Sequence, residues 1–148
     1  MPLNNVFILR FSHHKNLNLN DKEGQAAVLD SLVHLKANGG GCVVEQSSWG
    51  FTRKANYLKR YSEKSGVHIV AGTGYYLEES FSDDVISNST VESMANFCTG
   101  EILDGCYGDP TVKAGIIGEV GVSDEIKGKH CQLQLHINRT LKFLCFSN

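Results

Sequence analysis

The chain has 148 residues, 41% of them hydrophobic and 20% charged, with two prolines; that is enough for one domain with its own core and too apolar for a disordered chain. A formal charge of −2 gives no electrostatic reason to bind nucleic acid or an anionic membrane surface, so a small molecule is the expected partner. The cysteines Cys42, Cys98, Cys106, Cys131 and Cys145 are odd in number and include no C-x-x-C pair, which argues against a disulfide framework or thiolate zinc site and for a reduced, cytoplasmic compartment.

In chain order, Val6-Phe7-Ile8-Leu9 is a short apolar stretch with no basic region before it and no small-residue cleavage site after it, so no signal peptide is expected. No run approaches the roughly 18 apolar residues of a membrane helix. Asn20-Asp21-Lys22-Glu23 has the form of a capping box, with Asn as cap and Glu three residues on. Val28, Leu29, Leu32, Val33 and Leu35 then recur at helical steps, which predicts a helix with one apolar stripe, closed by Gly39 as a left-handed cap. Gly39-Gly40-Gly41 precedes a strand rather than a helix, the wrong order for a phosphate-binding loop, and reads as a cap and tight turn.

Cys42–Glu45 is the first predicted strand, opening at its C-terminal end on Gln46-Ser47-Ser48. A second helix is predicted over 52–65, stopped by Gly66, and a second strand over 67–71. The interval between strands, about 25 residues, is what a β-α-β crossover requires. Gly72-Thr73-Gly74 has Leu77 where a dinucleotide loop has its third glycine and carries no weight. Beyond a polar loop, Ser89-Thr90-Val91-Glu92 forms a second capping box, and Val91, Met94, Ala95, Cys98 and Ile102 mark a third helix.

Lys113-Ala114-Gly115-Ile116-Ile117-Gly118-Glu119-Val120-Gly121 is an apolar run ending in one carboxylate between two glycines. Such a run suits a parallel strand covered on both faces. Glu119 is out of place as a core residue, because a buried ionised carboxylate is strongly destabilising unless compensated. The C-terminal end of a parallel strand is where α/β folds hold their ligands. The predicted class is therefore α/β, with helices and parallel strands in the order α-β-α-β-α-β.

Three blocks, the run from Lys113 to Gly121, Lys36-Ala37-Asn38-Gly39-Gly40-Gly41 with Val43-Val44-Glu45, and Gly66-Val67-His68-Ile69-Val70-Ala71-Gly72-Thr73-Gly74-Tyr75-Tyr76, together resemble the phosphotriesterase-related branch of the amidohydrolase superfamily. The resemblance spans about residues 12–123. It implies a (β/α)8 TIM barrel, of which this chain holds a part truncated at both ends, since such barrels take about 250 residues. It also implies two divalent metal cations, zinc foremost, with Glu119 bridging them. The implied reaction is hydrolysis of ester, lactone or amide bonds by a water activated between the metals, with small N-acyl substrates such as N-acetyltaurine. Tyr75 and Tyr76 would line the substrate pocket, or alternatively pack the mouth of the fold, and Glu45 and Gln46 would supply polar contacts in the same layer. Trp49 and Phe51 are expected to pack beneath them.

The remaining metal ligands of that family have no clear counterpart. No His-x-His pair occurs, and His13-His14 are adjacent, so they point to opposite faces of an extended chain. His34, beside the first helical stripe, reads as a packed or surface histidine. His68 is expected to be buried in its strand as a neutral imidazole bonded to backbone. His130 and His136 follow Glu119 too closely for an intervening helix of about 11 to 12 residues. From about residue 125 the pattern changes to a period-two alternation, and the division expected is a partial hydrolase barrel over 1–125 and a divergent tail over 126–148. With so few ligands the chain by itself is expected to be inactive, and its unpaired strand edges to favour self-association. The competing reading is a non-catalytic α/β module acting through protein contacts.

Overall fold

A computed structural model describes residues 22–51, 53–77, 80, 81, 85 and 88–119. Asn20, Asp21, His13, His14, His130, His136 and the tail 126–148 lie outside the described residues. Helices and strands alternate as the periodicity predicts: α1 (Lys22–Ala37), β1 (Cys42–Glu45), α2 (Ala55–Ser65), β2 (His68–Thr73), α3 (Val91–Leu103) and β3 (Ala114–Ile117). None of these helices is long and apolar enough to cross a membrane.

The helix ends follow from local chemistry. Gly39, at φ +88°, closes α1 by donating to Lys36 O at 3.1 Å, while Gly40 donates to Leu35 O at 2.9 Å. That pair of bonds is the Schellman motif, and it needs a left-handed residue at the glycine. Gly66, at φ +69°, ends α2 in the same conformation. The helix itself starts at Ala55, later than predicted, from Lys54 without a side-chain cap. For α3 the capping box is Thr90 with Ser93, one residue on from the predicted Ser89 and Glu92: Ser93 N–H donates to Thr90 Oγ1 at 3.0 Å and Thr90 N–H to Ser93 Oγ at 2.9 Å. Serine at the third helical position does the work expected of the glutamate.

The strands form a parallel sheet in the order β1-β2-β3. Val43 pairs with Ile69 and Val44 with Val70. Between β2 and β3 the register runs Ala71 to Ala114, then Gly72 to Ile116 and Thr73 to Ile117. Gly115 is thus left over as a bulge, which reverses the in-and-out alternation beyond it.

All three helices cover one face of this sheet. Leu32 of α1 and Tyr61 of α2 pack with Val67, Val43 and Ile69. Met94, Ala95 and Cys98 of α3 pack with Tyr75, Trp49 and Ile117, and Ala55 packs with Cys106 and Ala114. The alternate residues Cys42, Val44 and His68 are exposed. The expectation of strands covered on both faces, and of a buried His68, is corrected accordingly: among the described residues only the helical face is covered. Each helix returns on the same side, and the opposite face is the one a (β/α)8 barrel buries only by closing on itself. The fold is a sector of such a barrel. Of the α1 stripe only Leu32 is buried, while Val28, Val33 and Leu35 are exposed, as is His34.

Candidate functional site at the carboxyl ends of the strands

The main chain after β1 bends over β2. A side chain at Gly72 would meet Glu45 O at 3.0 Å, Ser47 O at 3.1 Å and the Gln46 carbonyl carbon at 3.2 Å, so glycine there lets the bend form. The bend carries Gln46 to the end of β3, where Glu119 N–H donates to Gln46 O at 2.9 Å and Gly118 N–H to Thr73 O at 2.7 Å. A Cβ at Gly118 would collide with the Gln46 carbonyl. Strands that are not neighbours in the sheet thus meet at their carboxyl ends, with Glu119 exposed at the junction.

A second parallel bridge joins Trp49 to Tyr75, with Trp49 N–H on Gly74 O and Tyr76 N–H on Trp49 O, both at 2.9 Å. It separates the two tyrosines. Tyr75 is 3% exposed, its ring 5.1 Å from Trp49 and 5.6 Å from both Phe81 and Phe97; burial raises its phenol pKa well above the usual range. It is a core residue, the packing alternative of the sequence reading. Tyr76 is half-buried at the rim, its ring 4.7 Å from Phe51.

Glu45 lies on the helix-facing side of β1, in a cleft beside α1 and α2. Its Oε1 accepts Ser47 N–H at 3.0 Å and also the Ser47 hydroxyl. Gln46 is exposed.

The centre of the polar architecture is a pair the sequence reading passed over. Arg53 and Glu101 form an ion pair with side chains each 2% exposed. Arg53 Nη1 donates to Glu101 Oε2 and to Gly72 O, both at 2.8 Å. Glu101 also accepts Thr73 Oγ1–H at 2.5 Å and Tyr107 N–H at 2.8 Å. Burial pulls the guanidinium pKa down, but the hydrogen bond and charge of Glu101 outweigh it, so Arg53 ends above its ordinary value. One carboxylate therefore ties α3, the end of β2, the β1–α2 loop and the turn after α3 together. A signal was present: Glu101 falls on the stripe of Met94, Ala95 and Cys98, seven residues after the first, so it faces the sheet.

Among the described residues no three His, Cys, Asp or Glu side chains converge where a cation could sit. The buried carboxylates are engaged, Glu101 by Arg53, Thr73 and Tyr107, and Glu45 in part by Ser47. The described residues by themselves do not fit the two-cation site that the resemblance implies.

The model of the phosphotriesterase family matches residues 5–133. Human N-acetyltaurine hydrolase is 41% identical over 113 residues, which cover 76% of this chain and 31% of that protein. The phosphotriesterase-related protein of Aedes aegypti is 40% identical over 132 residues, covering 83% of this chain and 37% of its own. Among solved structures, the phosphotriesterase homology protein from Escherichia coli, complexed with phosphate in its active site, superposes with a TM-score of 0.68 at 27% identity, covering 78% of this chain and 41% of that one. The chain spans about a third of the length of the curated relatives it matches.

Proposed function

The chain belongs to the phosphotriesterase family, and from that membership we propose that it forms part of a metal-dependent hydrolase acting on ester, lactone or amide bonds. Small N-acyl amino-acid-like amides such as N-acetyltaurine are the proposed substrate class. The observation that carries this is the 41% identity to human N-acetyltaurine hydrolase. The meeting of Gln46 and Glu119 at the carboxyl ends of the strands supports it, because that end is where barrel enzymes place their chemistry.

Glu119 is proposed as the residue of this chain that would help hold a pair of divalent cations, zinc foremost, and such a pair would supply an activated water when bound. Among the described residues no three His, Cys, Asp or Glu side chains converge to hold such a pair, so the reaction is assigned to a barrel in which further residues complete the site. Gln46 and Tyr76, at the rim, are the proposed substrate contacts. Tyr75 and Glu45, packed behind them, hold that rim in place.

The test is metal content and turnover of the full chain. After dialysis against zinc, manganese or cobalt buffers, we expect less than a full pair of equivalents and N-acetyltaurine hydrolysis at background. Two retained equivalents with turnover abolished by Glu119→Ala would mean that the whole site assembles within these 148 residues.

A second reading, a non-catalytic module acting through protein contacts, is favoured by the exposure of Val33, Val44 and Leu103. In that reading Glu119 is a solvated residue at a strand end, and Glu119→Ala changes no binding property.

A further inference from the structure

The ion pair of Arg53 and Glu101 grips two consecutive residues at the end of β2. Arg53 Nη1 donates to Gly72 O at 2.8 Å, and Thr73 Oγ1–H donates to Glu101 Oε2 at 2.5 Å. Thr73 is completely buried, and while its side chain serves the ion pair, its main chain serves β3. It pairs with Ile117, and its carbonyl accepts Gly118 N–H at 2.7 Å. Beyond that bond the chain changes partner: the next amide, Glu119 N–H, donates to Gln46 O at 2.9 Å.

Both acceptors that place the Gly118-Glu119 main chain depend on Gly72 and Thr73. Thr73 O is one of them. The other, Gln46 O, lies in the bend that closes over Gly72, where a side chain would meet the Gln46 carbonyl carbon at 3.2 Å. A shift of the β2 end therefore reaches Glu119 by two routes. Core packing alone gives no reason for a hydroxyl at position 73, since valine has nearly the same shape and brings no polar group to bury. The hydroxyl is what joins this strand end to Glu101, a carboxylate that is itself held by Arg53 and by Tyr107 N–H, both at 2.8 Å.

We propose that Thr73 is a positioning residue of the candidate site: its hydroxyl anchors on Glu101 the strand end whose carbonyl holds the Gly118-Glu119 main chain. The anchor is stiff because a hydrogen bond to a charged group is stronger than a neutral one, and because α3, which carries Glu101, packs Met94 and Cys98 into the core. The placement of Glu119 follows from these contacts alone, and its bearing on hydrolysis rests on the role proposed for Glu119 above. Were the hydroxyl present only to satisfy Glu101, its removal would weaken the whole fold and leave Gly118 and Glu119 no looser than the rest of the sheet.

The test is amide hydrogen exchange, followed by NMR, on the full chain unaltered and as Thr73→Val and Thr73→Ser. The internal reference is His68 N–H, bonded to Gly41 O at the far end of the same strand. In the unaltered chain the Gly118 and Glu119 amides should exchange at least about tenfold more slowly than in an unstructured peptide. Thr73→Val should speed both by about tenfold relative to His68 in the same chain, and Thr73→Ser, which keeps the hydroxyl, should restore slow exchange. If the valine chain does not fold, Thr73→Ala, which leaves room for a water on Glu101, takes its place with the same expected outcome. Free exchange of the two amides in the unaltered chain, a valine or alanine chain in which they quicken no more than His68, or a serine chain as fast as the valine or alanine chain would each overturn the assignment. None of these readouts needs turnover or bound metal, so a failure of the hydrolase reading leaves the exchange pattern as it is, and the two fail separately.

Discussion

Arg53 and Glu101, 48 positions apart in sequence, face each other as a buried ion pair that also holds the Gly72 carbonyl, the Thr73 hydroxyl and the Tyr107 amide. The pair thereby holds the end of β2 directly, and β3 joins that end through Gly118 N–H on Thr73 O. Removing one partner leaves the other as an uncompensated buried charge, which costs about 3–5 kcal/mol. Glu101→Gln and Arg53→Met are each expected to destabilise by about that amount in urea unfolding. The double variant should be less destabilised than the sum of the two, because the orphaned charge is gone. Additive losses would show that the two side chains act independently.

Glu119 is expected to behave in the opposite way. It is exposed, and among the described residues its main-chain N–H is tied to Gln46 while its carboxylate has no hydrogen-bond partner. Glu119→Gln should leave the stability of the metal-free chain within about 0.5 kcal/mol, the usual range for surface substitutions. A larger loss on denaturant unfolding would reveal a partner for the carboxylate beyond the described residues.

Alkaline pH should weaken the fold through Cys98. The thiol is 2% exposed, and burial, with the Glu101 carboxylate adding to it, pushes its pKa from 9.0 up to about 11. A raised folded-state pKa means that the folded chain holds its proton where the unfolded chain has lost it. The contribution is therefore complete below pH 9.0 and is lost as pH climbs to about 11. Stability measured across that window should fall, and fall less steeply in Cys98→Ala. Buried Cys106, Tyr75 and Tyr61, all shifted upward by burial, add to the slope that remains. Identical slopes in the two chains would contradict the assignment.

The uncovered surfaces predict self-association. Val33 of α1 is 48% exposed and Val44 of β1 is 51% exposed, and β1 is the edge of the described sheet. Natural edge strands are often guarded by lysine. Val33→Lys with Val44→Lys should shift the chain towards monomer in sedimentation velocity. A sharp monomer for the unaltered chain would contradict this.

The alternation of elements was legible because helices and strands leave different periods in sequence. Leu29 and Leu32, or Met94, Ala95 and Cys98, repeat at helical steps, and glycines 39 and 66 stop helices through backbone conformation alone. What was not legible depended on contacts between distant segments. Arg53 reads as a charge in the first turn of the predicted second helix and Glu101 as a charge on the third until the fold brings them together. The exposure of His68 and Val44 follows from which sheet face the helices cover, and a single strand does not encode that. The bulge at Gly115 arises from pairing with β2. Of the candidate site, Glu119 and Gln46 were legible as polar residues at strand ends, but their direct contact was not, since β2 lies between their strands.

The central claim, that this chain supplies the Glu119 ligand of an N-acyl hydrolase barrel, is tested most directly by a chimera. Residues 22–119 replace the corresponding stretch of human N-acetyltaurine hydrolase, and bound metal and N-acetyltaurine turnover are measured with and without Glu119→Gln. The account predicts that the chimera keeps both metal and turnover and that the substitution removes them together. A folded chimera in which Glu119→Gln leaves metal content and turnover unchanged would contradict it.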